Sequence, residues 1–116
     1  MMESLDLAQA CALAASDKKA EDIVILDLRE LSSFTDAFVI CSATSEPQMK
    51  AIASSIREQT REKHGRKPLN EDGFPASHWV AIDYGDVIVH VFNGEKREFY
   101  NLEGLWKDAA VVPVVA

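Results

Sequence analysis

The sequence predicts an α/β fold: a mixed sheet with flanking helices. Three observations lead there. Two short apolar runs, residues 23–28 and 37–41, precede a long amphipathic segment that opens at Ser45. Two further strand-like segments, residues 79–84 and 87–92, are separated by Gly85-Asp86 alone. A two-residue link demands antiparallel pairing, whereas the long stretch after Cys41 has room for the crossover that parallel strands require.

The first element is an amphipathic helix over residues 5–15. Leu7, Ala8, Cys11, Ala14 and Ala15 recur at helical spacing, and the pattern stops near Asp17-Lys18-Lys19. Residues 23–28 (Ile-Val-Ile-Leu-Asp-Leu) are nearly all apolar, which predicts an inner strand covered on both faces. A loop at residues 32–36 leads to a second strand over residues 37–41.

Ser45-Glu46-Pro47-Gln48 is a capping box, with Ser45 as N-cap and Gln48 reaching back. Pro47 is tolerated in the first turn, where its missing N–H has no helical partner. Met49, Ile52, Ala53, Ile56 and Thr60 form the inner stripe, while Lys50, Arg57, Glu58, Arg61 and Glu62 face water. Gly65 stands where a left-handed C-terminal cap is needed.

Residues 67–78 form a loop with a short strand near Leu69, followed by the hairpin. Gly85-Asp86 suits a type II′ turn. Alternation places Val80, Ile82 and Tyr84 on one face and Trp79, Ala81 and Asp83 on the other. Residues 96–108 read as one or two short helices broken near Asn101 and Gly104. Residues 109–116 are a tail, either frayed or docked.

A chain of 116 residues suits one domain with a single core. With 47% hydrophobic and 27% charged residues, its composition is that of a globular protein. No apolar run is long enough to span a bilayer. The N-terminus has Glu3 and Asp6 and no basic lead, so it does not read as a secretory signal. Cys11 and Cys41 are expected as buried free thiols, which suits a reducing cytoplasm. A net charge of −7 disfavours bare nucleic acid, whose phosphates need Lys and Arg. It matches a basic protein surface, where charge steers encounter. Solubility accounts for the same charge.

Motifs of catalysis are absent. The chain has neither a phosphate-binding glycine loop nor a nucleophile motif. Residues 42–45 join a strand to a helix N-terminus, a place for an anion, but they lack the glycine that close backbone approach favours. Ser45 reads as a structural cap. Asp27, Asp36, Asp83 and Asp86 lie in or beside strands without the paired spacing that holds a metal, and Asp83 and Asp86 flank a turn. No metal or other cofactor is expected. His64 is expected at an exposed helix end, and His90 as a half-buried or hydrogen-bonded histidine beside Ile88 and Phe92.

Trp79, Tyr84, Phe99, Tyr100 and Trp106 gather in the last third of the chain. Trp and Tyr serve as core builders and as interface anchors. The residues alone divide Trp79 evenly between these roles and favour the core for Trp106. Trp79 and Asp83 share a strand face, an aromatic beside an acid, and the acidic pair Glu71 and Asp72 leads into that strand. This combination suits a partner rich in Lys and Arg.

Four segments resemble the ribosomal silencing factor family (RsfS, or Iojap). They are residues 20–28, residues 32–40, residues 79–92 (Trp-Val-Ala-Ile-Asp-Tyr-Gly-Asp-Val-Ile-Val-His-Val-Phe) and residues 97–106 (Arg-Glu-Phe-Tyr-Asn-Leu-Glu-Gly-Leu-Trp). The resemblance runs over about residues 5–108, and the third segment is its most specific part. It implies a nucleotidyltransferase-like fold without the catalytic acids. It also implies binding to the large ribosomal subunit through that subunit's protein fourteen, not catalysis. Occupying that protein would block docking of the small subunit and repress translation when nutrients are scarce. The expected contact residues are Trp79, Asp83, Tyr84, Glu71 and Asp72. Ala43 departs from the family, which often has glycine there, and the tail after Asp108 has no clear counterpart. Two alternatives stay open: a magnesium-dependent nucleotidyl-transfer enzyme using Asp36, Asp83 or Asp86, and a small structural dimer. A homodimer of the free protein also stays open.

Overall fold

The structure, a computed structural model, describes residues 2–73 and 78–115. Its elements are α1 (Ser4–Ser16), β1 (Glu21–Asp27), β2 (Ala37–Ala43), α2 (Glu46–His64), β3 (Asn70–Asp72), β4 (Trp79–Asp83), β5 (Val87–Asn93), α3 (Gly94–Tyr100), α4 (Leu102–Leu105) and β6 (Ala110–Val112). Among the described residues, six strands make one sheet in the order β3-β4-β5-β2-β1-β6. β2 and β5 run parallel, and the other neighbours run antiparallel. The sheet is therefore mixed, as the hairpin and the long crossover predict.

The two faces are covered unequally. On one, α1 and α2 contribute Leu7, Cys11, Met49, Ile52 and Ile56, which pack on Ile25, Val39, Val89, Val80 and Ile82. On the other, Leu26, Leu28, Phe38, Ile40 and Phe92 form a second cluster with Trp79, Ile88, Leu102 and Trp106 at its margin. The helices beside this cluster, α3 and α4, are short, and none of their residues is buried. Among the described residues no helix is long and apolar enough to cross a membrane.

The strand covered on both faces is β2, where every position is buried. The predicted run 23–28 is an inner strand covered on both faces as well, with Ile23 and Ile25 in the first cluster and Val24, Leu26 and Leu28 in the second; β1 begins two residues earlier, exposed at Glu21 and Asp22. Its pairing with β2 is irregular between Glu21 and Val24, and Asp22 takes a φ of 50°.

α2 carries both predicted caps. The Ser45 hydroxyl accepts from the Gln48 N–H at 3.2 Å. The Gln48 carboxamide reaches one residue further than the capping box predicts, accepting from the Thr44 N–H at 2.7 Å. Its Nε2 donates to the carbonyls of Lys18 and Lys19, which ties the start of α2 to the end of α1. Gly65 has φ 65°, its N–H donates to Arg61 O, and the Arg66 N–H donates to Thr60 O. These bonds satisfy the last carbonyls of the helix. Ser45→Ala should cost about 1 kcal/mol, lowering the melting temperature by about 4 °C. An unshifted thermal melt would mean that Pro47 and Gln48 cap the helix without the hydroxyl.

The hairpin loop spans Gly85-Asp86, with Gly85 at φ 91° and the Tyr84 N–H donating to Val87 O at 2.8 Å. β3 begins one residue after Leu69, and residues 74–77 of the predicted loop lie outside the described residues. α3 and α4 are the two short helices expected, divided at Asn101 with φ 46°. The tail is docked: β6 pairs with β1 at the sheet edge. The Gln9 side chain donates to Pro113 O at 2.7 Å and accepts from the Val115 N–H at 2.9 Å. Cys11 and Cys41 are buried free thiols, each pushed up to about 12 by burial, so neither is a reactive thiolate at neutral pH.

Candidate functional site on the open sheet face

Register decides which side chains share the face that α1 and α2 leave uncovered. Residues directly opposite across paired strands point the same way. Trp79, Ala81 and Asp83 of β4 face Phe92, His90 and Ile88 of β5. Ile88 and His90 in turn lie beside Phe38 and Ile40 of β2. On the outer side, Asn70 and Asp72 of β3 face Asp83 and Ala81. The open face thus carries an aromatic cluster bordered by two carboxylates, Asp72 and Asp83.

The cluster has defined geometry. The Trp79 ring stacks on Phe92 at 5.1 Å between centroids and lies 4.6 Å from Tyr100. Its indole Nε1–H donates to His90 Nδ1 at 3.1 Å. Phe38 meets His90 edge-on at 4.5 Å, and Phe34 bridges toward Trp106 at 6.2 Å. Trp79 itself is half-buried. Asp72, Gly73, Trp79, Ala81 and Tyr100 line a hollow of about 360 Å³. Gly73 is needed there: it has φ 87°, and a Cβ would lie 2.1 Å from the Trp79 carbonyl oxygen.

His90 is only 6% exposed. Burial pushes its imidazole down to about 4, against a smaller opposing pull from Asp83. The ring is therefore neutral at neutral pH. Because Nδ1 accepts from Trp79, the proton is assigned to Nε2 from the hydrogen-bond network. Among the described residues Nε2 has no hydrogen-bond partner.

The five expected contact residues divide by face. Trp79, Asp83 and Asp72 stand together on the open one. Tyr84 does not join them: it is 3% exposed and lies in the core under α1 and α2. Its hydroxyl bonds to the Thr60 hydroxyl at 2.8 Å, and burial pushes the phenol up to about 12. Alternation alone puts Tyr84 opposite to Trp79 and Asp83. Glu71 is also turned away, paired opposite Ile82 and ion-paired with Arg57 of α2. The readings from the residues missed Phe34, which is 60% exposed beside Phe38 and Trp106. The signal available for Phe34 was a large aromatic within the polar loop Ser32-Ser33-Phe34-Thr35-Asp36. Phe99 at 75% and Tyr100 at 39% add to the exposed apolar surface.

Other chemistry finds little support in the geometry. The Thr44 N–H and hydroxyl both donate to Gln48 Oε1, at 2.7 and 3.0 Å, and the Ser42 hydroxyl oxygen accepts from Arg97 at 2.9 Å. Arg97 is also held by Glu103 at 2.8 Å. Asp86 pairs with Arg66 at 2.7 Å, and the Asp83 carboxylate accepts from the Gly85 N–H at 2.7 Å. Among the described residues no three His, Cys, Asp or Glu side chains are grouped to hold a metal ion. What remains is a surface suited to contact: aromatic and apolar at its centre, acidic at its edge.

Comparison with known proteins places this geometry. A family model described as "Ribosomal silencing factor during starvation" matches residues 1–116, tail included. The tail therefore has the family counterpart that the resemblance lacked. The chain is 43% identical to the Ribosomal silencing factor RsfS of Bacillus subtilis, over 93% of this chain and 91% of that protein. It is 43% identical to the chloroplastic Protein Iojap of Arabidopsis thaliana, over 92% of this chain and 44% of that longer protein. A crystal structure of a protein from Chromobacterium violaceum superposes with a TM-score of 0.86 at 32% identity, covering 91% of this chain and 88% of that one. A second crystal structure, of a protein from Bacillus halodurans, gives 0.80 at 39% identity, with 94% and 98% covered.

Proposed function

The chain belongs to the ribosomal silencing factor family, and from that premise we propose that it binds the large ribosomal subunit through the open face of its sheet. The contact on the ribosome is protein fourteen of the large subunit, and occupying it keeps the small subunit from docking. Translation is thereby repressed when nutrients are scarce. The protein acts in the cytoplasm as a binding protein and not as an enzyme. Its fold is read as nucleotidyltransferase-like, with Asp36, Asp83 and Asp86 put to structural use instead of catalysis.

The observation that carries this reading is the unequal covering of the sheet. One face is covered by α1 and α2, while on the other Tyr100 and Phe99 are exposed beside Trp79 and Phe34 is exposed beside Phe38 and Trp106. An apolar centre with an aromatic anchor and a polar rim is the anatomy of a protein interface. Asp72 and Asp83 at the rim, together with a net charge of −7, favour a basic partner.

Sedimentation with purified ribosomal particles tests the proposal. The protein is expected to comigrate with large subunits and not with small subunits or preformed joined ribosomes. Equal comigration with both subunits, or with neither, sinks the occlusion reading. No observation on the open face favours the magnesium-dependent alternative.

A further inference from the structure

We infer that His90 is a positioning residue for the ribosome contact, holding the Trp79 indole in the pose that the partner meets through the 3.1 Å bond from Trp79 Nε1–H to His90 Nδ1. The inference rests on the reading of the open face as the binding surface.

The imidazole is out of keeping with its surroundings. His90 sits on an inner strand between Ala81 of β4 and Ile40 of β2. Phe38 and Phe92 pack around it, with centroids at 4.5 and 6.2 Å. A buried polar group without a full set of partners costs stability, and His90 Nε2 has none among the described residues. One nitrogen of the ring thus adds nothing to the fold among the described residues, and the other serves Trp79.

The bond to Trp79 is what the histidine supplies. Ala81, which faces His90 across the ladder, is small, so the indole at Trp79 can reach diagonally to the imidazole. Stacking on Phe92 and the tilted contact with Tyr100 restrain the plane of the indole. The hydrogen bond to Nδ1 adds a directional restraint on the edge that carries Nε1. Neutral imidazole, maintained by burial, keeps that acceptor available. An anchor already held in its bound pose loses less freedom on association, and this appears as affinity.

The full chain is tested as His90→Leu, His90→Asn, Trp79→Phe, Trp79→Ala and the double variant Trp79→Phe/His90→Leu. Each is measured twice, by thermal melt and by affinity for purified large subunits. His90→Leu removes the acceptor and the orphaned Nε2–H together. The lost orphan and the Trp79 N–H left without this acceptor offset each other, so it should melt within a few degrees of wild type yet bind about fivefold to tenfold more weakly. His90→Asn keeps an acceptor at the position of Nδ1. It should bind within about twofold of wild type while melting lower, because it leaves space among the aromatic rings. Trp79→Phe lacks the indole N–H, so adding His90→Leu to it should leave affinity unchanged. A purely structural histidine would instead make affinity follow the melting temperature in every variant.

Wild-type affinity in His90→Leu overturns the inference. So does an Asn variant as weak as the Leu variant, or an undiminished effect of His90→Leu in the Trp79→Phe background. Weak binding by Trp79→Ala with normal binding by His90→Leu removes the positioning role alone. Normal binding by Trp79→Ala shows that the anchor lies elsewhere and removes this inference, while the cosedimentation result alone decides whether the protein binds large subunits.

Discussion

Trp79→Ala is expected to weaken binding to large ribosomal subunits about thirtyfold, equivalent to about 2 kcal/mol. The indole is half-buried, bonded to His90, stacked on Phe92 and tilted against Tyr100, so it is both an anchor and a part of the second cluster. That dual position also sets the stability cost. Truncating a fully buried aromatic costs about 3–5 kcal/mol, and a half-buried one should cost about half of that. The variant should therefore fold, melt lower than wild type, and lose affinity beyond anything partial unfolding supplies. Circular dichroism melts and subunit affinity on the same sample check both quantities. Full affinity in a folded variant places the anchor elsewhere on the face, with Phe34 and Phe99 as the remaining exposed apolar groups. Asp72→Asn, at the rim, should act on association rate and salt dependence more than on affinity.

Phe92→Ala is expected to act in the opposite proportion. Phe92 is fully buried, and its ring contacts Trp79, His90 and Tyr100. Removing it should cost about 3–5 kcal/mol from a total of about 5–15 kcal/mol. A melting temperature lowered by more than about 10 °C is the expected readout. Subunit binding should fall as well, because Trp79 loses the ring on which it stacks. A drop of only a few degrees would show that Trp79 and Tyr100 collapse into the space, and hence that the cluster is loosely packed. Together the two substitutions separate the groups that build the open face from those that present it.

Some of this was readable from the chain before any coordinates. α2 was legible from cap to cap, since Ser45, the stripe from Met49 to Thr60 and Gly65 each act within a few residues of themselves. The hairpin was legible for the same reason: Gly85-Asp86 and the alternation on either side are local signals. The mixed sheet followed from loop lengths, and the free buried thiols followed from their apolar settings. Family membership rested on residue strings, above all residues 79–92, and needed no geometry.

What depends on pairing between distant segments was not local and was not legible. Local order cannot say that β2 lies at the centre with both faces covered, or that the tail closes the opposite edge as β6. Nor can it say which of two adjacent acids faces a partner. Glu71 and Asp72 are neighbours in the chain, yet the register of β3 on β4 sends Glu71 to Arg57 and leaves Asp72 beside the anchor. Tyr84 follows the alternation of its strand into the core under α1 and α2, away from the face that carries Trp79 and Asp83. The Trp79–His90 bond joins residues on two strands across a diagonal of the sheet, and no spacing in the sequence encodes it. A strand's own residues determine which side chains alternate; only the register with its neighbours determines which of the two faces those side chains occupy and whom they meet there.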